Sequence, residues 1–335
     1  MKNKFAYFIS KSSMFGLGYF LLCNLNNKNT YLSIILGSIL GVIIIYIYNL
    51  IHKYTKDLKN TLKKYTLGKI YNFILLLFYT YMLCATILTI TTFINSFYLI
   101  KTPKLLIIIP LLLISLYLTF KEKNVLINLG NLSYYFSLVI VIIFSFLLIP
   151  YGKITELLPI FNYKVINILN GSIIYASISS IPLILVNGYD TTFKETLKNY
   201  IVATLVNLTI VIGTTISLGN NLLNIYRFPE YAVLKQIKIL DFVENIENIS
   251  AFGWYAESFM VSSIILANIK ESLPKKYNKS LLIISIIIIL IPIIILSNNY
   301  ELLLRMFYIH PYILITFFII FVSMIIYLRH YKNRI

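Results

Sequence analysis

The chain has 335 residues, of which 59% are hydrophobic and 12% are charged, and its formal net charge is +17. This composition excludes a water-soluble fold, because part of any globule faces water and so much apolar surface cannot all be buried. Apolar runs of about 20 residues instead predict membrane-spanning helices. We therefore interpret residues 1–335 as one all-α polytopic membrane domain.

Ten such apolar runs follow one another along the chain, and we number them as predicted spans 1 to 10. Placing the N-terminus in the cytoplasm puts 20 of the 29 Lys and Arg residues on the inner side, in agreement with the positive-inside rule. Both termini are therefore predicted to be cytoplasmic, and the basic charge does not predict nucleic-acid binding. The predicted spans are residues 8–25, 32–51, 70–98, 105–120, 130–149, 170–188, 200–218, 250–269, 280–297 and 311–328.

Predicted spans 1 and 6 differ from their aliphatic neighbours, because both are polar and interrupted by Gly or Pro. Small residues in membrane helices often serve only close packing, and that interpretation stays open for each span alone. The two spans are five apart, however, so they enter the membrane from opposite sides. The distinguishing residues are Gly16 and Gly18 in span 1, and Gly171, Ser177, Ser179, Ser180 and Pro182 in span 6.

This pairing predicts a five-plus-five inverted repeat of the LeuT-like kind, with broken helices 1 and 6. Repeat one would cover about residues 8–149, and repeat two about residues 170–328. A broken helix leaves backbone N–H and C=O groups that hydrocarbon tolerates only where they line a cavity or meet a ligand. We therefore expect a ligand site where the two breaks meet at mid-membrane.

Predicted spans 3 and 8 carry hydroxyl groups and would flank this central pair. Thr86, Thr89 and Ser258 are candidate ligand-binding residues, and Ser262 with Ser263 is a candidate sodium site because sodium takes hard oxygen ligands. The alternative is that these hydroxyls bond carbonyl groups one turn back in their own helices.

Two ionisable residues lie inside predicted spans. Glu257 in span 8 is a candidate for proton coupling or a polar vestibule, because a carboxylate inside a membrane is costly unless it is paired, protonated or wetted. A structural hydrogen bond is the alternative. Lys11, near the inner end of span 1, is expected to extend its ammonium to the lipid headgroups.

Cysteine and histidine give no metal site. Cys23 and Cys84 have no partner spacing, and the three histidines lie at span ends or in the tail. No metal and no cofactor is therefore predicted.

Residues 219–249 form the longest predicted outer loop. Pro229 can begin a helix there, because its missing N–H would be unpaired in the first turn anyway. We predict an amphipathic helix over about 229–247 that lies on the outer surface as a lid, a docking face or a membrane anchor. Its apolar face would consist of Val233, Ile237, Leu240, Val243 and Ile246.

The same loop resembles the signature loop of the endospore germination permease family, which supplies the B subunit of germinant receptors. That family belongs to the amino acid–polyamine–organocation transporter superfamily. Leu240 and Asn245 depart from the family pattern, which usually has Gly and Arg at these positions. The residues that carry the resemblance are Phe228, Pro229, Glu230, Tyr231, Lys235, Ile237, Asp241, Phe242, Ile246 and Glu247.

The resemblance implies a site for a small nutrient, typically an amino acid, between spans 1, 3, 6 and 8. It also implies partners, namely the A and C subunits of a germinant receptor, and a location in a bacterial plasma membrane or spore inner membrane. We expect the break near Gly16 and Gly18 to bind the ligand carboxylate and span 6, near Ser177 and Ser180, to bind its amine.

Two other functions stay open at this stage. The first is an amino acid permease coupled to protons or sodium. The second is a membrane enzyme, such as a polysaccharide polymerase or an acyltransferase, but nothing in the sequence resembles a nucleophile–base pair, so an enzyme is not predicted.

Overall fold

A computed structural model of the chain describes residues 3–54, 66–158, 164–188, 192–237, 245–274 and 278–332. Within these ranges all regular secondary structure is helical. Helices are required here because hydrocarbon offers no partner for backbone polar groups. In the described residues, eight helices are long and apolar enough to cross a membrane, which confirms the prediction of an all-α integral membrane protein.

The α-helices are numbered in chain order, and short 3-10 turns join several of them. Thr192 caps the start of the eighth helix by accepting the N–H of Glu195, and Pro229 is the first residue of the ninth. The helices are α1 Phe5–Ser12, α2 Leu17–Asn26, α3 Thr30–Tyr54, α4 Thr66–Phe97, α5 Lys104–Phe120, α6 Lys123–Leu148, α7 Val165–Ser180, α8 Phe193–Leu223, α9 Pro229–Ala232, α10 Glu247–Ser272, α11 Asn278–Asn298 and α12 Tyr300–Lys332.

The ten predicted spans do not map one to one onto the eight candidate spans. Predicted span 1 is divided between α1 and α2, and the apolar run Gly18–Leu50 joins α2 to α3 through a bend. Predicted span 4 is α5, whose 17 residues are at the short end for a spanning helix. The count of ten spans and the inverted repeat therefore stay predictions.

Burial separates central from peripheral helices. The apolar stretch of Val165–Val186 is 83% buried and that of Glu247–Ser272 is 72% buried, whereas that of Lys123–Tyr151 is only 22% buried. Helix α1 is also central, since it packs against α8 and α10 and its aromatic residues Phe5 and Tyr7 are fully buried. The centre of the bundle is thus built from the polar helices.

The predicted break in the first span is present. Helix α1 ends at Ser12, the next four residues form turns, and α2 begins at Leu17. Gly16 has φ +64° and ψ −88°, a conformation that glycine adopts without a Cβ penalty. The main chain therefore leaves the helical path in the middle of the protein.

The sixth span changes helix type but does not unwind. Helix α7 continues through Gly171 and the serines to Ser180, and a 3-10 helix, Ile181–Gly188, follows directly. Pro182 lies at this change, where its missing N–H cannot serve an α-helical hydrogen bond. The break predicted in span 6 is thus a tightening of the helix, milder than the break in span 1.

The predicted amphipathic helix over 229–247 does not continue as one helix through its described part. Only α9 and a 3-10 turn, Val233–Gln236, are helical, and Ile237 is extended with φ −73° and ψ 118°. Glu247 already belongs to α10. The apolar side chains of Val233, Leu234 and Ile237 are buried in the protein, so the described part of the apolar face packs inside the bundle. We call residues 228–237 the signature segment.

Candidate functional site

The signature segment holds the break between α1 and α2 through a carboxylate. The N–H of Gly16 donates to Glu230 Oε1 at 2.6 Å. A Cβ at position 16 would come within 2.4 Å of the Phe228 ring, so the close approach itself requires glycine. The start of α2 therefore directs its partial positive charge at a buried acidic side chain.

Glu230 is buried, with 4% of its surface exposed. Its second oxygen, Oε2, has no hydrogen-bond partner among the described residues. Burial raises the pKa of the carboxyl group to about 8 because it disfavours the charged form, and hydrogen bonds from its own N–H and that of Gly16 offset part of the rise.

Lys11 and Glu257 form a buried ion pair across the bundle. Lys11 Nζ lies 2.5 Å from Glu257 Oε1, and the two side chains are 6% and 5% exposed. The ammonium also donates to Ser137 Oγ at 2.8 Å, and that hydroxyl lies 2.6 Å from the hydroxyl of Tyr7. The expectation that Lys11 reaches the lipid headgroups is wrong, because its ammonium has its partners in the protein interior.

These charged groups line one cavity of about 500 Å³, which we call the break cavity. A pocket of about 30 Å³ beside Met14 and Phe15 shares Lys11, Glu230 and Glu257 with it. The remaining wall is largely aliphatic and comes from α6 and α8. A mostly apolar cavity with a few convergent polar groups is the usual form of a small-molecule site.

An aromatic cluster packs where the signature segment meets the break. The ring of Phe15 lies 3.9 Å from that of Trp254 and 5.9 Å from that of Phe228, centroid to centroid. Tyr231 lies 5.0 Å from Phe93 and 5.9 Å from Trp254. This aromatic cluster fixes the signature segment against the break cavity.

A second cavity of about 60 Å³ lies on the other side of the break. Gly18, Thr86, Thr89 and Ser258 line it, so the structure brings four predicted ligand residues together, with His310 beside them. Thr86 and Thr89 also bond the carbonyls of Met82 and Ala85 in their own helix, each at 2.9 Å. Gly16, in contrast, faces Glu230.

Comparison with known proteins now identifies the family. The family model described as spore germination protein matches residues 2–302, nearly the whole chain. This chain belongs to that family. The match confirms the resemblance seen in the signature loop and is consistent with the transporter superfamily assigned there. No curated protein matches the chain.

The three predicted serines of span 6 in this germination protein bond their own helix. Ser177, Ser179 and Ser180 donate to the carbonyls of Ile174, Tyr175 and Ala176 at 2.6–2.7 Å. They are not among the residues lining the break cavity. The structure therefore places these hydroxyls outside the break cavity.

The two serines proposed for sodium are also separated from the break cavity. Ser263 donates to the Phe259 carbonyl at 2.7 Å and to the Ser115 carbonyl of α5 at 3.3 Å. Ser262 is buried at 2% exposure. Neither is among the residues lining the break cavity, whereas Glu257 of the same helix is.

The signature residues are distributed around the aromatic cluster. The hydroxyl of Tyr231 lies 2.7 Å from that of Tyr98, while exposed Lys235 places its ammonium 4.9 Å from the centre of the Phe97 ring. Pro229 and Glu247 are buried. Asp241 and Phe242 lie outside the described residues.

Sequence reasoning missed the roles of Lys11, Glu230 and Ser137 at this site. One signal was available, because Lys11 and Glu257 are the one basic and the one acidic residue inside the predicted spans. Opposite charges buried in a membrane bundle usually pair. Glu230 was identified only as a member of the signature loop. No pattern in the sequence predicted its contact with Gly16.

Proposed function

We propose that this germination protein is the membrane subunit of a nutrient germinant receptor and binds a small nutrient, such as an amino acid, in the break cavity. The observation that carries the proposal is the break cavity itself. The buried ammonium of Lys11 and the buried carboxyl groups of Glu230 and Glu257 line it, and Glu230 accepts a hydrogen bond from the N–H of Gly16 at the helix break.

The charges suit a zwitterion. An amino acid brings one carboxylate and one ammonium, so it enters without changing the net charge of the cavity. Its carboxylate would be bound by the N–H of Gly16 at the positive end of α2 and by the ammonium of Lys11. Its ammonium would be bound by Glu257, whose present partner is Lys11 at 2.5 Å.

The aliphatic wall suits the rest of such a ligand. The cavity of about 500 Å³ is bounded by residues such as Ile140 and Phe144 of α6 and Leu208 of α8. An apolar side chain would be removed from water there, with a gain of about 25 cal/mol for each Å² buried.

Receptor function requires that binding change a conformation that partners can sense. A ligand shifts such an equilibrium only by its different affinity for the two states. The A and C subunits of a germinant receptor are the proposed partners, and the exposed side of the signature segment at Lys235 and Gln236 is a surface that they could contact.

The test is binding and uptake of a labelled mixture of amino acids by the full chain in proteoliposomes. We expect saturable binding without accumulation, and loss of binding in Lys11→Met. Lys69→Met, an exposed lysine of α4, is the matched control and should bind as the parent protein does. Absence of saturable binding both in the parent protein and in a variant without the Glu230 carboxyl group would contradict the proposal.

A second candidate is a proton-coupled amino acid permease, favoured by the buried, titratable groups of the break cavity. The same samples separate the two functions. Accumulation that collapses when the proton gradient is dissipated would assign transport, and binding alone would assign a receptor.

A further inference from the structure

We propose that Glu230 is an internal competitor for the nutrient: its carboxyl group holds the N–H of Gly16 in the ligand-free protein, and the ligand carboxylate displaces it. Displacement releases the signature segment from the break and so converts binding into a conformational signal. This inference rests on the proposed function, because it concerns the same cavity.

The geometry supports competition for one donor. Glu230 Oε1 lies 2.6 Å from the nitrogen of Gly16, at the point where α2 directs its first N–H groups into the protein. A main-chain N–H forms one good hydrogen bond, so a ligand carboxylate at this position and Glu230 exclude each other. The competitor is also tethered, because α9 carries it on a short, buried segment.

The contact is weak enough to be displaced. Glu230 is buried, and its Oε2 has no hydrogen-bond partner in the described part of the chain. A buried carboxyl group with an unsatisfied oxygen is costly. A ligand carboxylate that also reaches Lys11 would form charge-assisted hydrogen bonds, which are stronger than neutral ones.

Displacement of Glu230 would also move its neighbours Phe228 and Tyr231, which belong to the aromatic cluster around Trp254. Phe228 and Tyr231 lie on either side of Glu230, and the ring of Tyr231 is 5.9 Å from that of Trp254. Phe228 packs against Gly16, since a Cβ on that glycine would lie 2.4 Å from its ring. Departure of Glu230 therefore alters the aromatic surroundings of Trp254.

Trp254 is the one tryptophan of the chain, so its emission spectrum follows the break cavity without any label. The experiment compares the full chain in detergent with Glu230→Ala and Glu230→Gln. Glu301→Ala, which removes an exposed carboxylate with a weak surface partner, is the matched control. The probes are a mixture of amino acids and the mixture of their amides, which lack the carboxylate.

We expect Glu230→Ala to bind the amino acids more tightly than the parent protein, by about tenfold if Glu230 holds the N–H in nine molecules of ten. Glu230→Gln keeps an acceptor for Gly16 but cannot ionise, so its affinity for the amino acids should fall between those of the parent protein and Glu230→Ala. The gain in affinity should be smaller for the amides, because their carbonyl group can accept from Gly16 but carries no charge to pair with Lys11. Without ligand, Trp254 emission of Glu230→Ala should already resemble that of the liganded parent protein.

Two outcomes would overturn the inference. If the parent protein binds amino acids and Glu230→Ala binds them equally or more weakly, Glu230 is a fixed clamp and the proposed function stands without it. If neither protein binds amino acids, the inference and the proposed function both fail, since the N–H is then free of its competitor. Binding by Glu230→Ala but not by the parent protein supports the competitor and shows that it blocks the site.

Discussion

Predicted spans 1 and 6, called the first and sixth segments below, are the two that the sequence marks as interrupted. Their conformations in the structure differ. At Gly16 the chain leaves the helix, and a carboxyl group from 214 residues away takes the freed N–H. At Ile181 the chain only tightens into a 3-10 helix. Both segments are central and buried.

The difference shows when a polar interruption of a membrane helix can become a ligand-binding site. In the sixth segment the serine hydroxyls bond carbonyls of their own helix, so their polar groups are satisfied locally. In the first segment the N–H of Gly16 has no helical partner and needs a group from elsewhere. A break becomes a binding position where its backbone groups must be satisfied from outside the helix.

The largest effect is expected from separating the ion pair that anchors the first segment. Lys11→Met or Glu257→Gln leaves a buried partner without its counter-charge, and such changes cost about 3–5 kcal/mol of folding free energy. Thermal unfolding of the detergent-solubilised protein measures the loss. The double variant should be more stable than either single variant, and equal loss in all three would show that the pair is not coupled.

The second effect concerns the backbone of the break. Gly16→Ala places a Cβ 2.4 Å from the Phe228 ring at a positive φ, and a strained residue of this kind costs about 1–3 kcal/mol. It should also abolish amino acid binding, as Gly16→Leu and Gly18→Leu should.

Gly213→Ala is the control for stability, because its Cβ would meet Leu148 Cδ1 at an ordinary 3.6 Å inside a helix. It should be neutral or slightly stabilising, since Ala favours helix more than Gly. Equal melting temperatures for Gly16→Ala and Gly213→Ala would contradict the account of the break.

The third effect depends on pH. The pKa of Glu230 is raised from 4.5 to about 8, so the folded state binds a proton that the unfolded state releases between these values. The stability associated with this group is therefore complete below pH 4.5 and is lost as the pH rises through 8. Lys11 and Glu257 line the same cavity and remain in both proteins compared below.

Glu230→Gln removes this titration. The melting temperature of the variant, relative to that of the parent protein, should therefore rise as the pH is increased from about 5 to about 9. A constant difference over this range would show that the carboxyl group of Glu230 is charged, or solvated, in the folded protein.

The smallest effect is expected in the sixth segment. Ser180→Ala removes a hydroxyl whose acceptor, the Ala176 carbonyl, belongs to the same helix, so the cost should be about 1 kcal/mol or less. Amino acid binding should not change. Loss of binding in Ser180→Ala would move the ligand toward span 6 and favour the site first expected there.

The helical membrane fold and the break could be predicted because their signals are local. Long aliphatic runs determine membrane helices, and the glycine pair Gly16 and Gly18 within such a run marks the break, which the structure places at Gly16. The family could also be recognised, because the signature loop is a contiguous pattern and the family match over residues 2–302 confirms it.

The charged contacts of the site could not be predicted, because their partners are distant in sequence. Lys11 and Glu257 are separated by 246 residues. An extended lysine at a membrane surface and a paired lysine inside the bundle have the same sequence pattern. Only the packing of α1 against α10 distinguishes them.

The amphipathic reading of 229–247 failed for a related reason. A periodic pattern of apolar residues indicates that one face is buried, but it does not distinguish burial in a membrane surface from burial inside the protein. Val233 and Leu234 are buried within the protein, and the chain is extended at Ile237. Packing against the break decided the conformation of the signature segment.

The most direct test of a ligand site at the break is protection of single cysteines from a small thiol reagent. In a background without Cys23 and Cys84, Ile210→Cys reports on the break cavity and Thr89→Cys on the second cavity, and both positions are half-buried. We predict that saturating amino acids slow the labelling of Ile210→Cys and leave that of Thr89→Cys unchanged. Protection of Thr89→Cys alone would place the ligand in the second cavity and contradict the account.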